Sequence, residues 1–146
     1  SVKSRGLGDV YKRQRLYSIT SYSELEKNAK SVLRQNTLSP ANKKQNYLQQ
    51  LISNDDPIIA TSDYVRAYSQ LISSHINNKF LAMGTDGFGR SDTRKNLRDF
   101  FEVDSKHIVV SSLYTLYEDK KVPLQTLEKA ISKYNLNNNK NNPWEI

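Results

Sequence analysis

The sequence predicts an α/β domain in which short strands alternate with amphipathic helices around a mostly parallel sheet. Two short apolar runs, residues 57–60 and 80–83, each precede a segment with helical spacing of apolar side chains. The chain has 146 residues, enough for one compact domain and too few for two ordinary ones. With helices flanking the sheet, we expect a three-layer arrangement.

Composition excludes several classes of function. The chain contains no cysteine, which excludes disulfides, thiolate metal sites and cysteine nucleophiles. No apolar run approaches the roughly 18 residues of a membrane span, and no secretory signal is visible, so we expect a soluble, cytoplasmic protein. His75 is expected to be partly buried and His107 to lie at the surface. Neither has a second histidine at ligand spacing, so no metal site is predicted.

The first residues of the chain differ in kind from the rest. Residues 4–14 read SRGLGDVYKRQ, a string that resembles the translation of a sequencing adapter. We therefore leave residues 1–14 out of the fold and expect them to be disordered. Without their four basic residues and one acidic residue, the formal charge falls from +7 to +4. A positive excess of this size indicates no particular partner.

The first elements follow from alternation and helical spacing. Residues 15–20 alternate and are rich in strand formers, so they predict a strand. Ser21 or Ser23 can cap the helix that follows. A polar stretch around Pro40 predicts a loop, and residues 47–52 a short helix. The apolar positions of the first helix are Leu25, Ala29, Val32 and Leu33.

The middle of the chain contains one predicted helix between two apolar strands. Ser62 or Asp63 can cap this helix, whose apolar side chains recur at helical spacing from Val65 to Ile76. The strand before it is entered through a proline, and the strand after it ends at Gly84. This strand–helix–strand order is the reason to expect parallel pairing.

Three helices are expected in the last third of the chain. The first carries Leu97 and two phenylalanines on one side. Asp104 can begin the second, although residues 107–111 are β-branched enough for a strand. Pro123 occupies a favoured first position of the third. We place the domain at residues 15–134; residues 135–146, which are rich in asparagine, predict a solvated tail.

Glycine is concentrated in one loop. All three glycines of residues 15–146 lie within six residues, between an apolar strand and a helix. Glycine permits a sharp turn and a close backbone approach, and in open α/β sheets functional loops lie at the carboxyl ends of strands. The spacing fits neither the dinucleotide fingerprint nor the P-loop, so a structural turn is favoured over a phosphate site. The candidate residues are Gly84, Asp86, Gly87, Phe88, Gly89, Arg90, Ser91, Asp92 and Arg94.

This loop also carries a family resemblance. Residues 84–113, GTDGFGRSDTRKNLRDFFEVDSKHIVVSSL, resemble the signature near the end of the homodimeric bacterial pyruvate dehydrogenases. Residues 16–25 (LYSITSYSEL) and 58–68 (IIATSDYVRAY) are similar to two further segments of that family. The similarity is collinear over nearly all of residues 15–143. It implies a transketolase C-terminal-domain-like fold, truncated at its amino-terminal side. Transketolase itself is the alternative, and the signature within residues 84–104 speaks against it.

The resemblance implies an activity for a larger parent protein. Enzymes of this family bind thiamine diphosphate and Mg²⁺ through the domains that precede this one, decarboxylate pyruvate and reductively acetylate a lipoyl group. The expected partners are a second subunit of a homodimer, the remaining domains of the same chain and the dihydrolipoyl acetyltransferase core, with no nucleic acid and no membrane. By this resemblance the fragment holds no catalytic, cofactor-binding or metal-binding residue and is inactive alone. Its expected role is assembly, with Phe88 and Arg90 at a dimer or domain boundary.

A basic binding module for anions or nucleic acid is the alternative from another class. Four basic residues lie between Arg90 and Arg98, but Asp92 and Asp99 interrupt them. Such a pattern is typical of a solvated, salt-bridged helix face or a domain contact. Most of the remaining excess charge lies in residues 1–14, which we set aside.

Overall fold

The computed structural model describes residues 2–7, 11–86, 93–136 and 139–145. This part of the chain combines strands, helices and short 3₁₀ turns, which confirms the predicted α/β class. Its strands are β1 (Val2–Leu7), β2 (Tyr11–Tyr17), β3 (Ile58–Thr61) and β4 (Phe80–Met83). Its α-helices are α1 (Tyr22–Leu38), α2 (Tyr47–Leu51), α3 (Arg66–Gln70), α4 (Arg94–Phe100), α5 (Ser105–Glu118) and α6 (Leu124–Lys133).

Strands β3 and β4 form the predicted parallel pair. Ile58 lies opposite Phe80, and Ala60 lies opposite Ala82. Both alanines are buried, as expected for a parallel sheet covered by helices. Within the described residues the other sheet is antiparallel, and each sheet has two strands.

The antiparallel sheet is a hairpin of β1 and β2, with Val2 opposite Tyr17. This differs from the disorder expected for residues 1–14, because residues 2–7 and 11–14 are paired. It also shifts the strand expected at residues 15–20 towards the amino terminus. The reason is that a strand extends as far as its partner supplies backbone hydrogen bonds, whereas side-chain alternation was the only signal available from the sequence.

Helix α1 begins as the sequence predicts. The hydroxyl of Ser21 accepts a hydrogen bond from the backbone amide of Glu24 at 3.2 Å, which caps the helix. Its first residue, Tyr22, joins a buried cluster with residues from α2 and from the end of the α3 region. Leu33 was expected on the apolar face but is 58% exposed. The other buried members of this cluster are Leu48, Ile72 and Ile76.

Helix α3 is much shorter than predicted. Helical spacing extends from Val65 to Ile76, but the α-helix ends at Gln70 and a 3₁₀ turn follows. The expected caps are also wrong, because the hydroxyl of Ser62 accepts the amide of Tyr64 instead and Val65 occupies the cap position without a side-chain bond. A short polar side chain that bonds a nearby amide competes with helix initiation in this way.

Helices α4 and α5 enclose a second buried cluster around Met83, Phe101 and Val103. Asp104 caps α5, as predicted, by accepting the amide of His107 at 3.1 Å. Residues 107–111, left open between strand and helix, are helical. On α5, the side chains of Val109 and Tyr114 are 37% and 50% exposed. Among the described residues, no helix combines the length and apolar character needed to span a membrane.

Candidate functional site

The candidate site lies where β3 and β4 end, in the loops that follow them. Beyond the strands the two loops continue to bond to each other. The amide of Ser62 donates to the carbonyl of Met83 at 3.0 Å, and the amide of Thr85 donates to the carbonyl of Tyr64 at 2.8 Å. The Thr85 hydroxyl adds a bond to the carbonyl of Asp63 at 2.7 Å. Main-chain hydrogen bonds therefore hold the carboxyl ends of the two parallel strands next to each other.

Gly84 is required at this point by the closeness of the neighbouring backbone. A Cβ atom on residue 84 would lie 2.4 Å from the carbonyl oxygen of Tyr64 and 2.9 Å from the backbone nitrogen of Arg66. Both contacts are with main-chain atoms, which cannot move aside as a flexible side chain can. The predicted close backbone approach is thus confirmed for Gly84.

Asp86 joins the glycine-rich loop to α3. Its Oδ1 atom accepts the backbone amide of Arg66, the first residue of α3, at 2.9 Å. Its Oδ2 atom lies 3.5 Å from Arg66 Nε. The carboxylate therefore satisfies an amide at the helix start from a different loop, which sequence reasoning missed because the two residues are twenty positions apart.

The Arg66 guanidinium is held on two sides. Besides Asp86, the ring of Trp144 lies 5.1 Å from its central carbon, within the range of a cation–π contact. The Nε atom is shielded from solvent and has no hydrogen-bond partner among the described residues, since its approach to Asp86 is long. Residues 139–142 are exposed, as expected for a solvated tail, and Trp144 contacts the site through Arg66 while its side chain stays 46% exposed.

Helix α4 contacts the same end of the sheet. Arg98 lies 3.4 Å from the Oδ2 atom of Asp63, so it forms one of the salt bridges expected on this helix face. Both side chains are largely exposed, and such pairs contribute only about 0–1 kcal/mol. Arg94, at the first position of α4, is exposed.

The structure locates three of the nine predicted site residues. Gly84 and Asp86 lie together at the strand ends, and Arg94 begins α4. The other six lie outside the described residues, so the interface roles of Phe88 and Arg90 stay predictions. The six are Gly87, Phe88, Gly89, Arg90, Ser91 and Asp92.

A second group of polar residues lies between α4 and α5. His107 was expected at the surface, but its side chain is only 13% exposed, and its Nδ1 atom lies 2.5 Å from Asp104 Oδ1. Burial on its own would raise the pKa of Asp104. Hydrogen bonds from the His107 amide and ring, with the charges of His107 and Lys106, outweigh burial and hold that pKa below its usual value.

Asp99 lies close to this pair, so three potential metal ligands fall within 4.8 Å of one another. The sequence did not indicate this group, because its members come from α4, a cap and the first turn of α5. Lys106 Nζ lies 4.0 Å from Asp99 and 3.8 Å from Asp104, and Lys140 Nζ lies 3.9 Å from Asp99. These ammonium groups already balance the carboxylates, so we interpret the group as an ion-pair network.

Comparison with known proteins adds a family and several relatives. The sequence model of the transketolase-like TK C-terminal domain matches residues 5–104. The pyruvate dehydrogenase E1 component of Buchnera aphidicola subsp. Schizaphis graminum is 40% identical over 129 residues, which are 88% of this chain and 14% of that protein. The pyruvate dehydrogenase E1 component of Cupriavidus necator is 38% identical over 133 residues, which are 90% of this chain and 15% of that protein. The protein of the same name from Escherichia coli K12 is 35% identical over 130 residues, which are 88% of this chain and 14% of that protein.

Proposed function

The chain belongs to the family of transketolase-like C-terminal domains, and we propose that it is the C-terminal part of a bacterial pyruvate dehydrogenase E1 component. One observation carries this proposal. Relatives with that name are similar to nearly the whole chain, at 35% to 41% identity. Since the chain spans only about 14% of the length of the first of these relatives, the activity of the whole protein is part of the proposal.

The parent enzyme, on this proposal, is a cytoplasmic homodimer that decarboxylates pyruvate and reductively acetylates the lipoyl group of the acetyltransferase. This reaction would use thiamine diphosphate, which supplies an electron sink for decarboxylation, together with Mg²⁺, which would bind its diphosphate. A diphosphate site needs amides or positive groups that are free to bind it. The Arg66 and Arg98 guanidinium groups face Asp86 and Asp63 instead. The pairing of these two arginines supports our assignment of cofactor binding to other parts of the parent.

The function of this chain is then assembly of the dimer and of the domains around the active site. The glycine-rich segment, residues 84–94, is the part we assign to that contact. Its first residues are held by main-chain bonds to the loop after β3, and α4 at its other end is joined to the same loop by the Arg98–Asp63 pair. The first flank is thus held by backbone hydrogen bonds and the second is joined by an exposed ion pair, which supports a segment that meets another domain at a defined position.

A hybrid enzyme tests the proposal. Residues 15–146 would replace the matched residues of the Escherichia coli relative, and the control would be that relative ending before the match. We expect the hybrid to be dimeric and to decarboxylate pyruvate, and the truncated control to lose both properties. Light scattering measures dimerisation, and pyruvate-dependent release of carbon dioxide measures decarboxylation. A truncated control that remains dimeric and active would remove the assembly role.

The same hybrid tests individual residues. Phe88→Ala and Arg90→Ala are expected to weaken the dimer and lower activity together, because both side chains are assigned to the contact. Arg34→Ala, an exposed position on α1, is the matched control and should leave both unchanged. Equal behaviour of all three variants would contradict the assignment of the segment. The isolated chain is expected to show no turnover of pyruvate.

A further inference from the structure

The carboxyl-terminal residues contact both flanks of the glycine-rich segment. Trp144 lies over Arg66, which holds Asp86 near the start of that segment. Lys140 Nζ donates to the carbonyl of Asp99 at 3.4 Å and lies 3.9 Å from its carboxylate, in the helix that follows the segment. Residues so far apart along the chain meet here only because residues 139–145 return to the strand ends.

The Trp144 contact supplies what the Arg66–Asp86 pair lacks. The Arg66 Nε atom is shielded and makes no hydrogen bond among the described residues, because the carboxylate oxygen of Asp86 lies 3.5 Å from it. The negative face of an indole ring stabilises a cation in that situation, and tryptophan does so best of the aromatic residues. Pro143, beside it in the chain, is buried, so the residue next to Trp144 packs against the rest of the protein.

We propose that residues 139–145 form a strap that fixes the Arg66–Asp86 pair and thereby the backbone at residues 84–86, where the glycine-rich segment begins, with Trp144 as the positioning residue. The strap acts on Asp86 through Arg66, and on α4 through Lys140. Its effect on assembly rests on the proposed function, whereas its effect on the strand-end loops does not. The two can therefore be tested separately.

Fluorescence reports on the strap directly, because Trp144 is the only tryptophan in the chain. Arg66→Gln removes the cation under the ring, and we expect a red shift of the emission maximum and stronger quenching by acrylamide. Arg98→Gln is the matched control, since Arg98 also pairs with a strand-end aspartate, Asp63, but lies on α4 and not beneath the indole ring as Arg66 does. Equal spectra for the two variants, at unchanged circular dichroism, would overturn the Trp144–Arg66 contact.

Hydrogen exchange tests the positioning role with a variant that should not prevent folding. Trp144 is 46% exposed, so Trp144→Ala should leave the fold intact. We expect faster exchange at the amides of Arg66 and Thr85, which bond across the strand ends, and unchanged exchange at Ile58, which bonds to Lys79 at the opposite end. Trp144→Phe should lie between the alanine variant and the wild type.

Unchanged exchange at Arg66 and Thr85 in Trp144→Ala would overturn the strap. The outcome for the proposed function is separate. If the strap variants behave as expected but Phe88→Ala leaves the hybrid enzyme dimeric, then the strap stands and the assembly role of the segment fails. If Phe88→Ala weakens the dimer while Trp144→Ala leaves the exchange unchanged, then the assembly role of the segment stands and the strap fails.

Discussion

The two ends of the parallel strand pair are joined in different ways. At the carboxyl end, amides and carbonyls of the two loops bond directly, and Gly84 lets the backbones approach. At the amino end, the amide of Ile58 donates to the carbonyl of Lys79 at 2.8 Å, and side chains make the further connections. The Asn78 amide donates to the carbonyls of Asn54 and Asp56 at 2.7 and 2.9 Å, and Lys79 forms an ion pair with Asp119 at 2.8 Å.

The difference indicates which end is built for a fixed geometry. Main-chain bonds between two loops set the position of both backbones, whereas a long lysine side chain can keep its ion pair while the backbone moves. We therefore expect the amino end to tolerate substitution better than the carboxyl end. This is the expected distribution if the carboxyl end carries a contact with another domain or subunit.

Gly84→Ala should produce the largest effect. The added Cβ would overlap the Tyr64 carbonyl, so the loops must separate and lose the bonds between them. We expect the free energy of unfolding to fall by about 3 kcal/mol, the upper part of the range for overpacked sites. Urea denaturation measures it, with Asn77→Ala at the exposed amino end as the control. A loss as small as the control's would mean that the two ends are equally adaptable.

Asp86→Ala should have the next largest effect. It removes the acceptor of the Arg66 amide and leaves the guanidinium without its carboxylate. We expect a loss of about 1–2 kcal/mol in the free energy of unfolding. Asp86→Asn keeps an oxygen that can accept the amide and should lose less. If the two variants are equally destabilised, the charge rather than the helix cap is the main contribution.

Asn78→Ala probes the amino end at its strongest point. Two hydrogen bonds to main-chain carbonyls are lost, and because water can reach one of these carbonyls we expect a loss of about 1 kcal/mol. Thermal and urea denaturation both measure it. A loss greater than that of Gly84→Ala would reverse the comparison and identify the amino end as the rigid one.

Signals between residues adjacent in the sequence account for the elements that were predicted correctly. Ser21 and Asp104 stand at the starts of α1 and α5, and each bonds an amide three residues ahead. Such a cap needs nothing from the rest of the fold, so it can be read from the sequence. The length of α3 could not be predicted from the sequence, because its apolar spacing continues to Ile76 while the α-helix ends at Gln70. Spacing identifies a buried face and does not fix the backbone that presents it.

Acid should affect the amino end through a smaller, pH-dependent contribution. Hydrogen bonds from Lys79 and then Lys121, with the charges of both, lower the pKa of Asp119 despite a small opposing effect of burial. A carboxyl whose pKa is lower in the folded state stabilises above its unfolded pKa, about 4, and loses that contribution as the pH falls through the folded value. We expect Asp119→Asn to flatten the dependence of stability on pH below about 4. An unchanged slope would show that the pair contributes nothing.

The sequence by itself determined the α/β class, the two parallel strands, the caps of α1 and α5 and the closeness required at Gly84. Each of these depends on residues adjacent in the chain or on the absence of a side chain. Only the tertiary structure decided that Asp86 caps α3, that Asp99 joins Asp104 and His107, and that Trp144 covers Arg66. These contacts join residues from separate elements, and local spacing carries no information about which elements will meet.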